Sequence, residues 1–521
     1  MTNPSTLYRG GVLHCPADPS ATALLVSGGR IAWLGTDGDA PPADRVVDLG
    51  GALVTPAFVD AHVHATDTGL TLSGLELSGV RSAARLLEAV AEFAAGLPAD
   101  AVVLGHGWDE SGWADPTLPD AAALDRAAGG RRVYLSQASI HSALVSTALL
   151  AACPQAEAAA GYDASGWLRR DAHHVVRAAA QGSVSRSQRV AAQRVALAHA
   201  ASLGIAAVHE CGGPEISDEE DFTGLLGISG AGLPEVYGYW GELGGAARAR
   251  ELGAVGAGGD LFADGALGSR TAHVSQPYGD ADGCGHGYLS AEQVRDHLVD
   301  CAAHDMQGGF HAIGDAAIGT VLEGFAAAAR TVGVERLRAA RHRVEHAEIM
   351  NKAMIARFVE YGIVASMQPA FDRLWGGAGR MYEARLGLDR SLESNPMGAM
   401  HGVGVALAFG SDSPVTPLDP WGSVRAAAAH HNPAQRMSVR AAFAAHTRGG
   451  WRAVHLDVEG VLALGAPATF AVWSTPAGVE RGLPVLQAED PELRGPEDPT
   501  PLPVCRSLVL RGEVIYQEGS S

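Results

Sequence analysis

Between residues 57 and 454 short apolar runs alternate with alanine-rich helical stretches, and few folds are open to a chain with that rhythm. Strands separated by helices pair in parallel, and eight such runs can be counted. They are FVDAHVH (58–64), AAVHE (206–210), EVYGYW (235–240), DLFADG (260–265), FHAIGD (310–315), RVEHA (343–347), VASMQP (364–369) and ALAFGSD (406–412). Eight parallel strands close a TIM barrel, so the expected fold is α/β, a distorted (β/α)8 barrel. Helical stretches fill most of the gaps, among them SRSQRVAAQRVALAHAASLG before the second run and AIGTVLEGFAAAARTVG after the fifth. Residues 66–177 break the rhythm and read as an insertion after the first strand. An insertion at that end of a barrel is expected to overlie the active site.

The two ends of the chain have a different texture. Residues 5–56 carry strand-like runs broken by Pro, Gly and Asp, and ATFAVWST and RSLVLRGEVIYQEG repeat that pattern near the end, separated by a Pro- and acid-rich loop from Pro484 to Pro503. Residues 1–56 together with 455–521 are therefore expected to build one composite β-sandwich around a barrel of 57–454. Acidic residues outnumber basic ones by 58 to 38, and a net charge of −20 argues against nucleic acid or an anionic membrane as partner. The six cysteines include no C-x-x-C pair, which points away from both a disulfide framework and a thiolate zinc site. With no leader-like segment and no run of membrane-span length, a cytoplasmic protein acting on a small molecule is expected, with homodimerisation as an option.

His62 and His64 stand two apart at the end of the first run, so both imidazoles leave one face of the strand. Alone, that pattern is an ordinary strand end. His311, His346 and Asp412 occupy the equivalent ends of the fifth, sixth and eighth runs, and catalytic residues of barrels come from the C-terminal ends of different strands. Imidazole with carboxylate is a ligand set for a divalent cation, with Zn2+ the default and iron, manganese and nickel as alternatives. These five residues are the expected metal ligands.

The stretches TPAFVDAHVH, FADGALGSRTA (262–272), PYGD (277–280), FHAIGDAAI (310–318), RHRVEHAEI (341–349), SMQP (366–369), GSDSPV (410–415) and RGEVIY carry a resemblance that covers nearly the whole chain. On them the sequence resembles the amidohydrolase superfamily and, more narrowly, its amidohydrolase 3 or YtcJ-like branch. The resemblance implies a distorted barrel with a composite β-sandwich, and hydrolysis at a carbonyl or ring-imine carbon by metal-activated hydroxide. Asp412 would serve as general base and then general acid. The expected bond is a C–N bond outside peptides, in an N-substituted amide, formamide, carbamate or cyclic amide. An esterase, lactonase or deaminase on the same scaffold is the first alternative, and a metal-binding protein with weak or lost catalysis the second.

One departure from the family pattern stands out. Where the fourth strand usually carries a lysine that can be carboxylated to bridge two metals, this chain has Asp260, whose side chain is much shorter. A site with one tightly held ion is the preferred expectation; two ions bridged differently, or weakened activity, are the alternatives. Glu210 is either a compensating carboxylate or a plain salt-bridged one, and His209 is equally ambiguous. Around the site, Asp264, Ser269 and Arg270 lie in the loop after the fourth strand, where Arg270 can bind a carboxylate or polarised carbonyl, or form a buried structural ion pair. His141, by the resemblance, faces the substrate and can stabilise an oxyanion, or simply starts a helix. Trp108, Asp109 and Trp113 are expected pocket walls, Tyr239 and Gln368 are expected to reach the pocket, and Asp315 is expected to orient a neighbour.

Overall fold

The computed structural model describes residues 4–138, 141–488 and 498–519. Of the loop expected from Pro484 to Pro503, residues 489–497 lie outside the described residues. Eight strands form one sheet: β1 (Phe58–Val63), β2 (Ile205–Gly212), β3 (Glu235–Trp240), β4 (Gly256–Ala257), β5 (Gln307–Ala312), β6 (Arg343–His346), β7 (Val364–Met367) and β8 (Ala406–Phe409). They follow one another in sequence order across the sheet, and every pairing is parallel. Both faces of such a sheet are covered, which is why β1, β2 and β5 are buried at every position.

The sheet nearly closes at the C-terminal ends of its outer strands. Val63 and Ser413 form a parallel bridge, Asp412 N–H donates to His62 O at 2.8 Å, and His64 N–H donates to Ser413 O at 2.9 Å. The carboxylate of Asp60 accepts from the N–H groups of His62 (3.2 Å) and Ser411 (2.9 Å), tying the same two strands together. The result is an α/β barrel, as the alternation of strands and helices requires.

The fourth strand differs from expectation. Its ladder lies at Gly256–Ala257, and DLFADG follows as irregular chain that rejoins the sheet through a single bridge between Phe262 and His311. The cause is close backbone approach. A β-carbon at Gly258 would lie 2.3 Å from the Gly309 nitrogen, and Gly259 turns the chain with φ 78°. Asp260 is thereby carried off the ladder.

The chain ends form two further sheets. Thr6–Arg9, Ala23–Ser27, Arg30–Gly35 and Arg45–Asp48 make one; Val12–Leu13 and Leu53–Pro56 join the C-terminal strands Phe470–Ser474, Val504–Leu510 and Glu513–Gln517 in the other. Tyr8, Leu24, Val54, Phe470 and Val509 share one apolar core, so the two sheets pack as a sandwich built from both ends of the chain. Leu53–Pro56 runs straight into β1 through Ala57. Phe58, at that junction, lies 4.8 Å from the Trp421 ring and 5.7 Å from the Trp473 ring. The sandwich thus anchors the strand that carries His62, and sandwich and barrel fall in one compact unit, Met1–Ala65 with Leu197–Ser521.

Thr66–Ala196 is a second compact unit, longer than the insertion expected over 66–177, because the helix Arg186–Ser202 crosses its boundary. It has a sheet of its own, in the order Trp167–Arg169, Ser142–Val145, Val133–Gln137, Val103–Trp108 and Leu75–Glu76. Strands outside the barrel are therefore not confined to the chain ends. Leu86, Val90 and Ala94 recur along the helix Ala83–Ala95 and bury its inner face. Among the described residues no single helix is long and apolar enough to cross a membrane.

If backbone contact at Gly258 sets the course of the fourth strand, Gly258→Ala must push β4 and β5 apart. A loss of roughly 1–3 kcal/mol in unfolding free energy is expected, as for other overpacked sites. A urea titration reads it; an unchanged midpoint would show that the close approach is not a constraint.

Candidate metal centre

Six side chains converge where the barrel strands end. Period-two alternation sends Asp60, His62 and His64 to the same side of β1. His311 leaves the end of β5. Asp412 lies just beyond β8 with φ 57°, a left-handed backbone unusual for a residue other than glycine. His346 is the less obvious case. Its neighbours Arg343 and Glu345 point into the barrel, so regular alternation would turn His346 outward; φ 70° at His346 and 48° at Ala347 bring it back.

Asp260 sits at the centre. Its Oδ1 lies 3.5 Å from His62 Nε2, 3.4 Å from His311 Nδ1 and 3.8 Å from His346 Nε2, and its Oδ2 lies 3.2 Å from His64 Nε2. Asp412 Oδ1 lies 3.5 Å from His62 Nε2 and 3.3 Å from His64 Nε2. The short side chain reaches all four imidazoles because the turn at Gly259 places its backbone close to them. Donors around one tetrahedral zinc are separated by about 3.3 Å, given bonds of about 2.0–2.1 Å. His62 Nε2, His311 Nδ1, His346 Nε2 and Asp260 Oδ1 are buried without a hydrogen-bond partner. Unsatisfied buried polar atoms at this spacing fit a divalent cation.

Three of the four imidazoles are held from behind, while His64 Nδ1 is buried without a hydrogen-bond partner. His62 Nδ1 donates to Glu345 Oε2 at 2.9 Å, His346 Nδ1 pairs with Gln368 Oε1 at 2.8 Å, and His311 Nε2 pairs with Gly265 O at 3.3 Å. A partner on one ring nitrogen leaves the other to face the centre. Glu210 Oε2 accepts the Ala65 N–H at 2.7 Å, so it holds the chain just after His64.

The electrostatics follow from this crowding. Burial opposes a charge on His62, but Cys211, Asp260 and Asp412 outweigh it and raise its pKa well above the ordinary value. His64 is raised in the same way by Asp260 and Asp412 against its burial. Burial would push Asp260 up, yet His62, His311 and His346 hold its carboxyl well below the usual range. His346 moves down, through burial and the neighbouring His311. The pocket balances negative carboxylates with positive charge, which a bound cation also provides.

Several expected pocket residues do other work. The Asp264 carboxylate accepts the N–H groups of Ile313 (2.9 Å), Gly314 (2.8 Å) and His273 (2.8 Å), so its lone pairs are committed to backbone. Arg270 is engaged by Asp280 through Nε at 3.0 Å and Nη2 at 2.9 Å, an ion pair that is partly exposed rather than buried. Ser269 bonds to Thr271 and Ala266, and Asp315 accepts the Ser275 N–H at 2.8 Å, orienting a loop as expected. Tyr239 is fully buried with its hydroxyl on Gln307 Oε1 at 2.6 Å, at the start of β5, so it points to the opposite end of the barrel. Gln368 is buried and holds His346.

In the second unit, Trp108 is fully buried and donates to Leu135 O at 2.8 Å, and Trp113 belongs to the same core. Both are core side chains, not pocket walls, because this unit has a hydrophobic interior of its own. Asp109 caps a short helical turn through Ser111 N–H at 2.9 Å. His141 is exposed.

Residues outside the expected set also gather here. Glu345 and Cys211 form a buried donor group with His62, and His209 Nδ1 meets Arg343 Nη1 at 3.0 Å. The signal for Arg343 and Glu345 was present in RVEH, two charges at strand spacing inside an otherwise apolar barrel.

A model of the amidohydrolase family matches residues 45–516. YtcJ of Bacillus subtilis, itself a candidate amidohydrolase, is 25% identical over 516 residues, covering 90% of this chain and 94% of its own. The N-substituted formamide deformylase of Arthrobacter pascens is 32% identical over 136 residues, 25% of each chain. Among solved structures, an uncharacterized metal-dependent hydrolase from Pyrococcus furiosus matches the fold with a TM-score of 0.75 at 24% identity, covering 90% of this chain and 98% of that one.

The different duties of Asp264 and Arg270 can be separated by denaturation. Asp264→Ala strips two buried N–H groups and one half-buried one of their acceptor and is expected to cost roughly 2 kcal/mol or more, at about 1–3 kcal/mol per buried orphaned group. Arg270→Ala breaks a solvent-screened pair and is expected to leave the midpoint nearly unchanged. Equal losses would contradict the assignment.

Proposed function

The chain belongs to the amidohydrolase family, and we propose that it cleaves a non-peptide C–N bond, in an N-substituted amide, formamide, carbamate or cyclic amide, at a centre holding zinc. The observation that carries the reading is the convergence of His62, His64, His311, His346, Asp260 and Asp412 with their inward-facing atoms 3.2–3.8 Å apart where measured between imidazole and carboxylate. His62, His64, Asp412 and Asp260 would hold the cation. When bound, a divalent cation supplies Lewis acidity and lowers the pKa of water from about 15.7 to about 7. The similarity to the formamide deformylase, though it spans only a quarter of the chain, supports the choice of a C–N bond.

The chain's own groups divide the remaining work. Asp412 Oδ1 faces the inner nitrogens of both His62 and His64, so its carboxylate is placed to take a proton from water and return it to the leaving nitrogen. The left-handed backbone and the Asp412 N–H bond to His62 O fix that carboxylate relative to β1. Burial of His62 and His346 keeps bulk water from their far faces. A cytoplasmic setting fits the acidic surface and the free cysteines.

A second cation is a further reading that one observation favours. The two oxygens of Asp260 face different histidines, Oδ2 toward His64 and Oδ1 toward His62, His311 and His346. A carboxylate so placed can serve two ions, in spite of being shorter than a carboxylated lysine.

Zinc-loaded protein is expected to turn over at least one amide, formamide, carbamate or cyclic amide in a panel that also contains esters and lactones. Asp412→Asn should lower kcat by about 10²–10⁴-fold, the range for loss of a general base. His62→Ala should lose metal, measured by plasma emission. Hydrolysis of esters or lactones alone would sink the C–N assignment, and full activity in Asp412→Asn would remove Asp412 from its role. Chelation should also lower stability, by about 2.7 kcal/mol if the metal was present at a hundred times its Kd.

A further inference from the structure

Behind the metal centre the barrel interior contains charge where a hydrophobic core is usual. Arg343 and Glu345, two apart on β6, are both fully buried. Arg343 donates to Glu345 through Nε to Oε1 at 2.5 Å and Nη2 to Oε2 at 2.8 Å. It also donates to Ala61 O at 2.6 Å and Ser366 Oγ at 3.0 Å, and meets His209 Nδ1 at 3.0 Å. Its guanidinium lies 4.2 Å from the centre of the Tyr239 ring. One arginine therefore touches β1, β2, β3, β6 and β7. Replacing a buried pair of this kind by apolar residues of similar size is often neutral or stabilising, so packing alone does not explain its presence.

What the pair does have is a direct connection to the site. Glu345 Oε2 accepts from both Arg343 Nη2 and His62 Nδ1. An ionised carboxylate is an acceptor only, so the proton of that contact belongs to His62 Nδ1 and the lone pair of the neutral ring is on Nε2, toward Asp260 and Asp412. The fork of Arg343 fixes the plane of the carboxylate, and the carboxylate fixes the plane and tautomer of the imidazole. We propose that Arg343 and Glu345 are positioning residues that act through His62, setting its tautomer and ring orientation so that the site takes up its cation. The proposal rests on the reading of the centre as a metal site.

The test compares Glu345→Gln, Glu345→Asp and Ser366→Ala with the parent. Readouts are the zinc Kd from chelator competition, the visible spectrum of the cobalt-loaded protein, and the thermal midpoint of the metal-free form. Glu345→Asp keeps the charge beside Arg343 but draws the carboxylate back from His62. Both Glu345 variants are expected to bind zinc about 10–100-fold more weakly, the usual effect of removing such a partner, with altered cobalt bands. Ser366→Ala removes a partner of Arg343 and none of His62, and should keep the parental Kd. Parental affinity and cobalt bands in the Glu345 variants would overturn the proposal, as would an equal loss of zinc affinity in Ser366→Ala. If neither Glu345 variant folds, the pair is structural only and the proposal also falls. A parent that binds neither zinc nor cobalt would instead overturn the metal-site reading beneath it.

Discussion

The hydrogen bonds that join the first and last barrel strands place the rest of the site. Asp412 N–H to His62 O, His64 N–H to Ser413 O, and Asp60 to the N–H groups of His62 and Ser411 all lie within a few residues of the inward-facing histidines. They bring two ends of the sheet, far apart in sequence, into fixed register. Because side chains alternate along a strand, a slip of one residue there would turn His62 and His64 away from Asp412. The sandwich supports the same register from below, since β1 continues directly from Leu53–Pro56 and Phe58 packs on Trp421 and Trp473.

A cluster of buried imidazoles and carboxylates is costly unless its charges are matched. Here Asp260 and Asp412 face the inner nitrogens, while Glu345, Gln368 and the Gly265 carbonyl engage the outer ones. The inner atoms of His62, His311 and His346 remain without hydrogen bonds. Such an arrangement is satisfied by something that accepts lone pairs from several directions, which a proton does one atom at a time and a divalent cation does at once.

Much of this was legible in the sequence, and the exceptions have physical causes. The strand ends carrying His62, His64, His311 and Asp412 follow from alternating strand and helix signals and period-two geometry. The inward turn of His346 does not, because it depends on a left-handed backbone at a non-glycine residue, which no local pattern announces. The position of Asp260 was hidden by a strand that ends early, at Ala257, where glycine backbones touch. Side-chain length alone suggested that an aspartate would fall short, whereas the turn moves the whole residue inward. Trp108 and Tyr239 were misplaced for a common reason: sequence marks an aromatic residue near a strand end but not the direction in which it points, and both are sealed in cores. Arg343 and Glu345 read as a polar strand face, and only the closure of the barrel shows that neither meets solvent.

Anomalous diffraction at the zinc edge, from crystals of the zinc-loaded protein, addresses the central claim most directly. Density is expected within His62, His64, Asp260 and Asp412, with any second peak on the side of Asp260 that faces His311 and His346. Zinc bound elsewhere with these six side chains unliganded, or no zinc at all under saturating conditions, would contradict it.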